Sequence, residues 1–307
     1  MKYREIISRL ASAGVEDPGF EAGVLISHFC GISAAALPLM RGEDFENAEL
    51  FAAVERRCGR YPLQYIIGTW DFCTEVYRVS HDCLIPRPET ELLVERAVAM
   101  IPDGESFLDL CTGSGCIAVS TLARLPHSRA VAVDFYDGAL AKARENAALN
   151  GVGERLDIKK CDLLASGAGE SVCGGEKFFA LLSNPPYVKS ADMACLDPEL
   201  YAEPSTALDG GEDGLIFYRS ILREFVPRIK DGGFMLFEAG YDTARDVAAI
   251  GEGYGFDCEV IPDLSGLDRM ILMSKKGLSH LDAEGVIGFS SAYRRAPESP
   301  SASKKRT

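Results

Sequence analysis

Long apolar runs are absent from this sequence. No stretch approaches the roughly 18 residues that a membrane-spanning helix needs, and the residues after Met1 form an amphipathic pattern without the apolar segment of a signal peptide. We therefore expect a cytoplasmic protein. The 307 residues, 47% of them hydrophobic and 25% charged, are enough for one large globular domain and a small one.

Metal-ligand spacing is absent as well. The ten cysteines are scattered without a Cys-x-x-Cys pair, and there are only four histidines. This pattern disfavours a zinc site and favours reduced, apolar cysteines in a reducing compartment. We expect no metal.

Positive charge is scarce, and the formal net charge is −14. Proteins that bind nucleic acid usually carry a basic surface, because neutralising phosphates supplies most of their affinity. Nucleic acid is therefore disfavoured as a substrate, and a protein with a basic surface is favoured. Residues 277–307 are too poor in apolar side chains to fold alone, and we expect a disordered tail. A nucleic-acid contact by its basic end, Lys304-Lys305-Arg306, is the weaker interpretation.

Apolar periodicity divides the rest of the chain into a small helical domain, residues 1–75, and an α/β domain, residues 89–276. Residues 69–85 alternate like a hairpin, and we assign 76–88 to the hairpin and linker between the domains. Strands are predicted in the second domain at 106–111, 129–134, 155–160, 178–183, 233–238, 256–262 and 269–274. Helices are predicted between them at 89–100, 115–125, 137–149, 214–228 and 242–251.

This alternation of strands and helices predicts a Rossmann-like, mostly parallel, seven-stranded sheet that is covered on both faces. Such sheets bind ligands at the carboxyl ends of their strands. The Gly/Ser-rich stretch 165–176 is predicted to be a loop.

The turn after the first of these strands, Cys111-Thr112-Gly113-Ser114-Gly115, is a candidate cofactor loop. Gly113 and Gly115 lack a Cβ, so a ligand can approach the backbone, and the next helix offers N–H groups to a carboxylate. Asp134 ends the following strand, where a carboxylate can bind ribose hydroxyls. A structural turn beside a surface aspartate is the alternative, but the combination favours nucleotide-type binding.

The type of nucleotide follows from what the loop lacks. Ala118 replaces the third glycine of the dinucleotide pattern, which favours S-adenosyl-L-methionine over NAD. After the third strand, Asp162 could bind the adenine amino group while Leu163 packs on the ring. A cap of the strand end is an equal alternative for Asp162.

The sharpest motif is Asn184-Pro185-Pro186-Tyr187, at the end of the fourth predicted strand. The prolines restrict the backbone, including that of Asn184. The Asn184 side-chain carbonyl and the Pro185 backbone carbonyl can accept both N–H protons of an amide or amine, and Tyr187 offers an aromatic face. The motif therefore predicts methylation of a planar nitrogen through positioning and electrostatic stabilisation; a simple turn is the alternative.

We accordingly assign Asn184, Pro185 and Tyr187 to catalysis and the whole tetrapeptide to substrate binding. Asn184 also belongs to the candidate cofactor site, with the five residues of the loop, Asp134, Asp162 and Leu163.

Over about residues 1–275 the chain resembles the bacterial release-factor glutamine methyltransferases. The resemblance rests on the loop, the tetrapeptide and five further segments, 60–68, 84–91, 203–211, 213–215 and 263–269. It implies a class I S-adenosylmethionine-dependent methyltransferase that modifies the side-chain amide nitrogen (N5) of the glutamine in the Gly-Gly-Gln loop of peptide chain release factors. It also implies that the helical domain grips the release factor and that Asn184 with the following backbone binds the amide. We expect a monomer.

Other acceptors and a different class of protein stay open at this point. A glutamine of a ribosomal protein is the close alternative. The tetrapeptide also occurs in methyltransferases that modify adenine N6 or guanine N2, which segment 84–91 and the helical domain disfavour. A non-catalytic binding module with this fold is opposed by the intact tetrapeptide.

Two positions depart from the family pattern. Cys111 stands where the family usually has glycine; we expect it to fit if φ is negative, with a narrower loop. Tyr241 follows Gly240 where a glutamine is common. Arg87 has two interpretations, a contact with a substrate or cofactor carboxylate and an ion pair at the domain seam.

Overall fold

A computed structural model describes residues 1–33, 35–40 and 42–275. The prediction for residues 277–307 lies outside them. The α-helices are α1 (Tyr3–Ser12), α2 (Pro18–Cys30), α3 (Ala48–Cys58), α4 (Leu63–Ile67), α5 (Pro88–Met100), α6 (Cys116–Arg124), α7 (Asp137–Leu149), α8 (Ala168–Cys173), α9 (Ile216–Phe225) and α10 (Ala244–Gly253). The strands are β1 (Thr69–Phe72), β2 (Glu75–Arg78), β3 (Ser106–Leu110), β4 (Arg129–Asp134), β5 (Leu156–Lys160), β6 (Phe178–Ser183), β7 (Ile229–Glu238), β8 (Phe256–Pro262) and β9 (Asp268–Lys275).

The first four helices pack around their own apolar core. Helix α2 begins because the Asp17 side chain accepts a hydrogen bond from the Phe20 N–H at 3.0 Å, and it ends at Gly31, whose φ is +66°. The Asn47 side chain caps α3 in the same way. The helices bury the apolar side chains that recur on one face, including Ile6, Leu10, Leu25, Ile26, Leu50 and Val54.

Strands β1 and β2 form an antiparallel hairpin that is shorter than the alternating stretch 69–85. The domain boundary that we predicted after residue 75 falls inside this hairpin. Residues 79–87 leave the hairpin and run past the carboxyl edge of the main sheet. A turn at Ser80–Cys83, closed by a hydrogen bond from the Cys83 N–H to the Ser80 carbonyl at 3.2 Å, redirects the chain soon after β2 ends.

Within residues 42–275 the main sheet has seven strands in the order β5-β4-β3-β6-β7-β9-β8. All neighbours pair in parallel except those of β9, which is antiparallel to β7 and β8. The expected mostly parallel α/β sheet with a helical N-terminal region is thus confirmed. The chain reverses its direction of progress across the sheet between β3 and β6, and a ligand crevice forms at such a point.

The central strands are apolar on both sides. On β3, Phe107 belongs to the core under α5 and α6, whereas Leu108 belongs to the core under α9 and α10. Strand β6 divides in the same manner between Leu182 and Leu181. Helices on both faces explain why these strands are continuously hydrophobic.

The prediction of a loop over 165–176 is wrong in part, because Ala168–Cys173 forms helix α8. Its small residues permit close packing, since a Cβ on Gly169 would lie 2.2 Å from the Glu224 carbonyl oxygen. Val172 enters the core below α9. In the described part of the chain, no helix combines the length and apolar character needed to cross a membrane.

Candidate active site

A cleft opens at the carboxyl ends of β3, β4, β5 and β6, with a cavity volume of about 270 Å³. Its wall is completed by residues 82–87, by the start of α5 and by Pro204, Thr206 and Ala207. The position agrees with the rule that parallel sheets bind ligands where their strand order reverses.

Most of the candidate site residues line this cleft: Cys111, Thr112, Gly113, Ser114, Asp134, Asp162, Leu163, Asn184 and Pro186. Gly115, Pro185 and Tyr187 are described but are not among the lining residues. Pro185 is buried and Tyr187 half-buried. The fold therefore brings the candidate cofactor loop and Asn184 together, and it sets the Tyr187 ring back from the cavity.

Asp134 is held by the loop opposite it. The Gly113 N–H donates to Oδ2 at 2.9 Å and the Tyr136 N–H donates to Oδ1 at 3.1 Å. Burial raises the pKa of Asp134. Each carboxylate oxygen keeps a further lone pair with which it can bind a hydroxyl.

Gly115 has a packing role. Its φ is +82°, and a Cβ there would lie 3.2 Å from the Cα and Cβ of Ala143. The glycine thus lets the start of α6 lie close to α7. Asp162 lines the cleft and also accepts a hydrogen bond from the Leu164 N–H at 2.9 Å, so both interpretations of this residue have a structural counterpart.

Asp109 lies fully buried beneath the loop and was not among the site residues predicted from the sequence. Its Oδ2 accepts hydrogen bonds from the Thr112 hydroxyl at 2.6 Å and the Ala118 N–H at 3.1 Å. Its Oδ1 has no hydrogen-bond partner among the described residues. Burial raises the pKa of Asp109 to about 7. An acidic residue inside an apolar strand was the signal that could have revealed it.

Cys111 adopts φ +58°, in the left-handed region. The condition under which we expected cysteine to fit, a negative φ, is therefore not met. A side chain in this conformation costs roughly 1–2 kcal/mol because Cβ approaches the following carbonyl. The thiol packs against the sheet core, and burial raises its pKa well above the ordinary value, which leaves it neutral.

Asn184 is oriented by a neighbour from α5. Its Nδ2 donates to the Thr90 hydroxyl oxygen at 3.2 Å. The Thr90 hydroxyl in turn donates to Glu238 Oε2 at 2.6 Å, and the Tyr187 hydroxyl lies 3.5 Å from Glu238 Oε1. Thr90 lies in segment 84–91, which carries part of the family resemblance, but no role of Thr90 was predicted from the sequence.

Segment 208–214 clamps the tetrapeptide. The Val188 N–H donates to the Leu208 carbonyl at 2.9 Å, and the Gly210 N–H donates to the Val188 carbonyl at 2.8 Å. A Cβ would lie 2.7 Å from the Pro186 carbonyl oxygen at Gly210 and 2.4 Å from the Tyr187 carbonyl oxygen at Gly214. These glycines are needed for a close backbone approach.

Arg87 pairs with the buried Glu203, which also accepts a hydrogen bond from the Ile85 N–H at 3.0 Å. The structure thus gives Arg87 an acidic partner beside the cleft. This arrangement corresponds to the ion-pair interpretation of Arg87.

Comparison with known proteins agrees with this site. A family model described as PrmC N-terminal domain matches residues 3–68, and one described as methyltransferase small domain matches residues 87–213. A release factor glutamine methyltransferase from Geobacter sulfurreducens is 38% identical, over 85% of this chain and 91% of that protein. Another from Cereibacter sphaeroides is 40% identical, over 87% and 95%. This chain belongs to the release factor glutamine methyltransferases.

Membership of the release factor glutamine methyltransferases confirms the resemblance stated from the sequence. A solved methyltransferase from Pyrococcus furiosus shares the fold, with a TM-score of 0.50 and 18% identity over 66% of this chain and 89% of that one. The class I methyltransferase fold implies use of S-adenosyl-L-methionine.

Proposed function

We propose that this protein transfers a methyl group from S-adenosyl-L-methionine to the side-chain amide nitrogen (N5) of the glutamine in the Gly-Gly-Gln loop of peptide chain release factors. The observation that carries the proposal is the orientation of Asn184. Its amide nitrogen is engaged by Thr90, so its carbonyl oxygen is left to accept from a substrate in the cleft.

The residues of the cleft fit the cofactor. Asp134 would hold the ribose hydroxyls, Leu163 would pack against the adenine, and Asp162 would bind the adenine amino group. Gly113 leaves the backbone open to close approach. When bound, S-adenosyl-L-methionine supplies an electrophilic methyl group on sulfur.

An amide nitrogen is a weak nucleophile because its lone pair is delocalised. In the proposed complex, Asn184 Oδ1 and the Pro185 carbonyl accept its two N–H protons. This contact fixes the direction of the lone pair and stabilises the positive charge that develops during attack. The methylated nitrogen then loses a proton to solvent, and no titrating base is needed at the attack step.

Tyr187 fits a supporting role better than a stacking role. Its ring packs against the sheet core and its hydroxyl points to Glu238. We therefore assign substrate contact to Asn184 and Pro185 and assign Tyr187 to holding the tetrapeptide in place.

We propose the release factor as the partner and the helical domain as the part of this protein that binds it. This domain is joined to the chain segment after the tetrapeptide by ion pairs from Arg57 and Arg60 to Glu199. A protein docked on the helices would thereby be held at a fixed position relative to the cleft. We also propose a monomer, since the proposed mechanism assigns no role to a second copy.

Methyl transfer from radiolabelled S-adenosyl-L-methionine tests the proposal directly. The acceptors are purified release factors, a release factor with its Gly-Gly-Gln glutamine changed to alanine, ribosomal proteins and duplex DNA. We expect label on the intact release factor alone. Label on a ribosomal protein would identify that alternative acceptor, and label on DNA or on no acceptor would refute the proposal.

The Asn184→Ala variant tests the assigned contact. We expect loss of transfer with the cofactor dissociation constant, measured by calorimetry, nearly unchanged. The matched control is Asn150→Ala, which removes a half-exposed asparagine whose side chain bonds, within the described structure, to the Val76 and Asn146 carbonyls. Wild-type turnover in Asn184→Ala would show that the acceptor contact is wrongly assigned.

A further inference from the structure

A chain of buried polar groups leads from the acceptor asparagine into the protein. It runs from Asn184, after β6, to Thr90 in α5 and on to Glu238 at the end of β7, with Tyr187 as a second hydroxyl on the same carboxylate. Thr90 and Glu238 are each only 2% exposed. Neither residue contacts the acceptor in the proposed function, on which this inference rests.

The direction of the hydrogen bonds follows from the chemistry of the last group. An ionised carboxylate can only accept, so the Thr90 hydroxyl must donate its proton to Glu238. The hydroxyl oxygen then has only lone pairs left for Asn184, and only the NH₂ end of the asparagine amide can bind there. The carbonyl end is consequently turned away from Thr90.

We propose that Thr90 and Glu238 are positioning residues that fix the amide orientation of Asn184 and so select an acceptor with two N–H donors. An asparagine amide has a donor end and an acceptor end of nearly the same shape. Without a partner of defined polarity it could present its NH₂ to the cleft and oppose the N–H groups of the acceptor. The two residues remove that second orientation.

The surroundings of Glu238 decide when it is ionised. The charged groups that act on it are Glu89 and Arg87 at the start of α5 and Arg269 on β9. Tyr187, in the tetrapeptide, lies beside it as well. Tyr218 of α9 donates its hydroxyl to the Glu238 backbone carbonyl at 2.7 Å.

Burial raises the pKa of Glu238 to about 7, while the bond from Thr90 and the charges of Arg269 and Arg87 act to lower it. The ionised form is the one that only accepts. As the pH falls through this pKa, the carboxyl gains a proton and can donate, and the polarity of the Thr90 hydroxyl is no longer fixed. Turnover should therefore decline on the acidic side of about pH 7.

The variants Thr90→Val and Thr90→Ser separate the hydrogen bonding of the Thr90 hydroxyl from the packing of its side chain. Valine has nearly the shape of threonine but cannot donate or accept, and serine keeps the hydroxyl. With a release factor as substrate, we expect Thr90→Val to lower kcat roughly ten- to a hundredfold, the range for a lost buried hydrogen-bond partner. Thr90→Ser should stay within about threefold of wild type, and the cofactor dissociation constant should be unchanged in both.

The matched control is Thr121→Val in α6. Thr121 is also fully buried, but its hydroxyl has no hydrogen-bond partner in the described structure. It should fold and turn over like wild type. Thermal unfolding of all variants shows whether a loss of kcat reflects a loss of structure.

Glu238→Gln gives an independent readout if Thr90→Val does not fold. Glutamine has both donors and an acceptor, so it no longer forces the Thr90 hydroxyl to be the donor in the bond between them. We expect a lower kcat and loss of the decline on the acidic side of about pH 7.

Three results would decide the matter. Wild-type kcat in Thr90→Val, or an unchanged pH profile in Glu238→Gln, would overturn this inference alone. A wild-type protein that labels no release factor would overturn the proposed function and the inference with it.

Discussion

Arg57 donates a hydrogen bond from Nη1 to Glu199 Oε1 at 2.9 Å, although 142 positions separate them. Arg60 grips the same carboxylate through Nε at 2.6 Å and Nη2 at 2.8 Å, and Arg57 also pairs with Glu21. Arg57 is only 5% exposed. The helical region and the segment after the tetrapeptide thus share a partly buried charge cluster.

Glu199→Ala should lower the free energy of unfolding by about 1–3 kcal/mol, less than a fully buried pair, because Glu199 is partly exposed. The reason is that it removes the acid that pairs with Arg60 and one of the two acids, Glu199 and Glu21, that pair with Arg57 in the described structure. Urea unfolding measures the change. Glu55→Ala is the control: among the described residues Glu55 pairs with Arg9 at the surface, and its loss should cost under about 1 kcal/mol. Equal effects of the two variants would contradict this prediction.

Cys111→Gly should raise the free energy of unfolding by up to about 1 kcal/mol, because relief of the left-handed conformation exceeds the lost thiol packing and the entropy of glycine. We also expect tighter binding of S-adenosyl-L-methionine, since the loop widens. Urea unfolding and calorimetry measure the two effects. Cys258→Gly in β8, where φ is not positive, should instead destabilise. A less stable Cys111→Gly variant would show that packing outweighs strain.

Gly214→Ala should abolish most methyl transfer while leaving cofactor binding largely intact. The added Cβ would lie 2.4 Å from the Tyr187 carbonyl oxygen, so the tetrapeptide must move. Gly232→Ala is a matched control: its φ is +77° against +76° at Gly214, but apart from its chain neighbours no described residue has an atom within 4 Å of the new Cβ. Both variants carry the same backbone strain. Equal activity in the two would show that the close contact between segment 208–214 and the tetrapeptide is not needed for methyl transfer.

Asp109→Asn should flatten the pH dependence of stability. The folded-state pKa of Asp109, about 7, lies above the unfolded value, so the folded protein binds the additional proton between the two. Stability from this group is therefore full at low pH and is lost as the pH rises towards 7, on the order of 2–4 kcal/mol in total.

Asparagine keeps an acceptor for Thr112 and Ala118 but cannot titrate. Urea unfolding from pH 5 to 8 should show a smaller decline than in wild type. Some decline should remain, because burial raises the pKa of Glu238 in the same direction. An unchanged slope would mean that Asp109 is ionised throughout this range.

Much of the fold follows from local pattern. The apolar runs of β3, β4 and β6 and the helical periodicity between them predict a parallel sheet, since only helices on both faces allow such strands. The loop from Cys111 to Gly115 and the tetrapeptide at Asn184 both follow strands. Their meeting at one edge follows from the parallel arrangement.

Local pattern was insufficient where residues distant in sequence act together. Thr90 and Glu238 are 148 positions apart, and nothing near either one indicates the other. Helix α8 was missed because its small residues look like a loop, whereas they allow contact with Glu224. The positive φ of Cys111 could not be predicted locally either, because it depends on how the turn after β3 packs in the folded protein.

The sequence by itself determined the class of fold, the edge of the sheet that carries the site and the family, because periodicity, proline restriction and glycine spacing are local properties of the chain. The tertiary structure alone decided which side chains face one another: Asn184 with Thr90, Arg57 with Glu199 and Gly214 with Tyr187. Such pairs depend on strand order and helix packing, which arise from many weak contacts summed over the whole core.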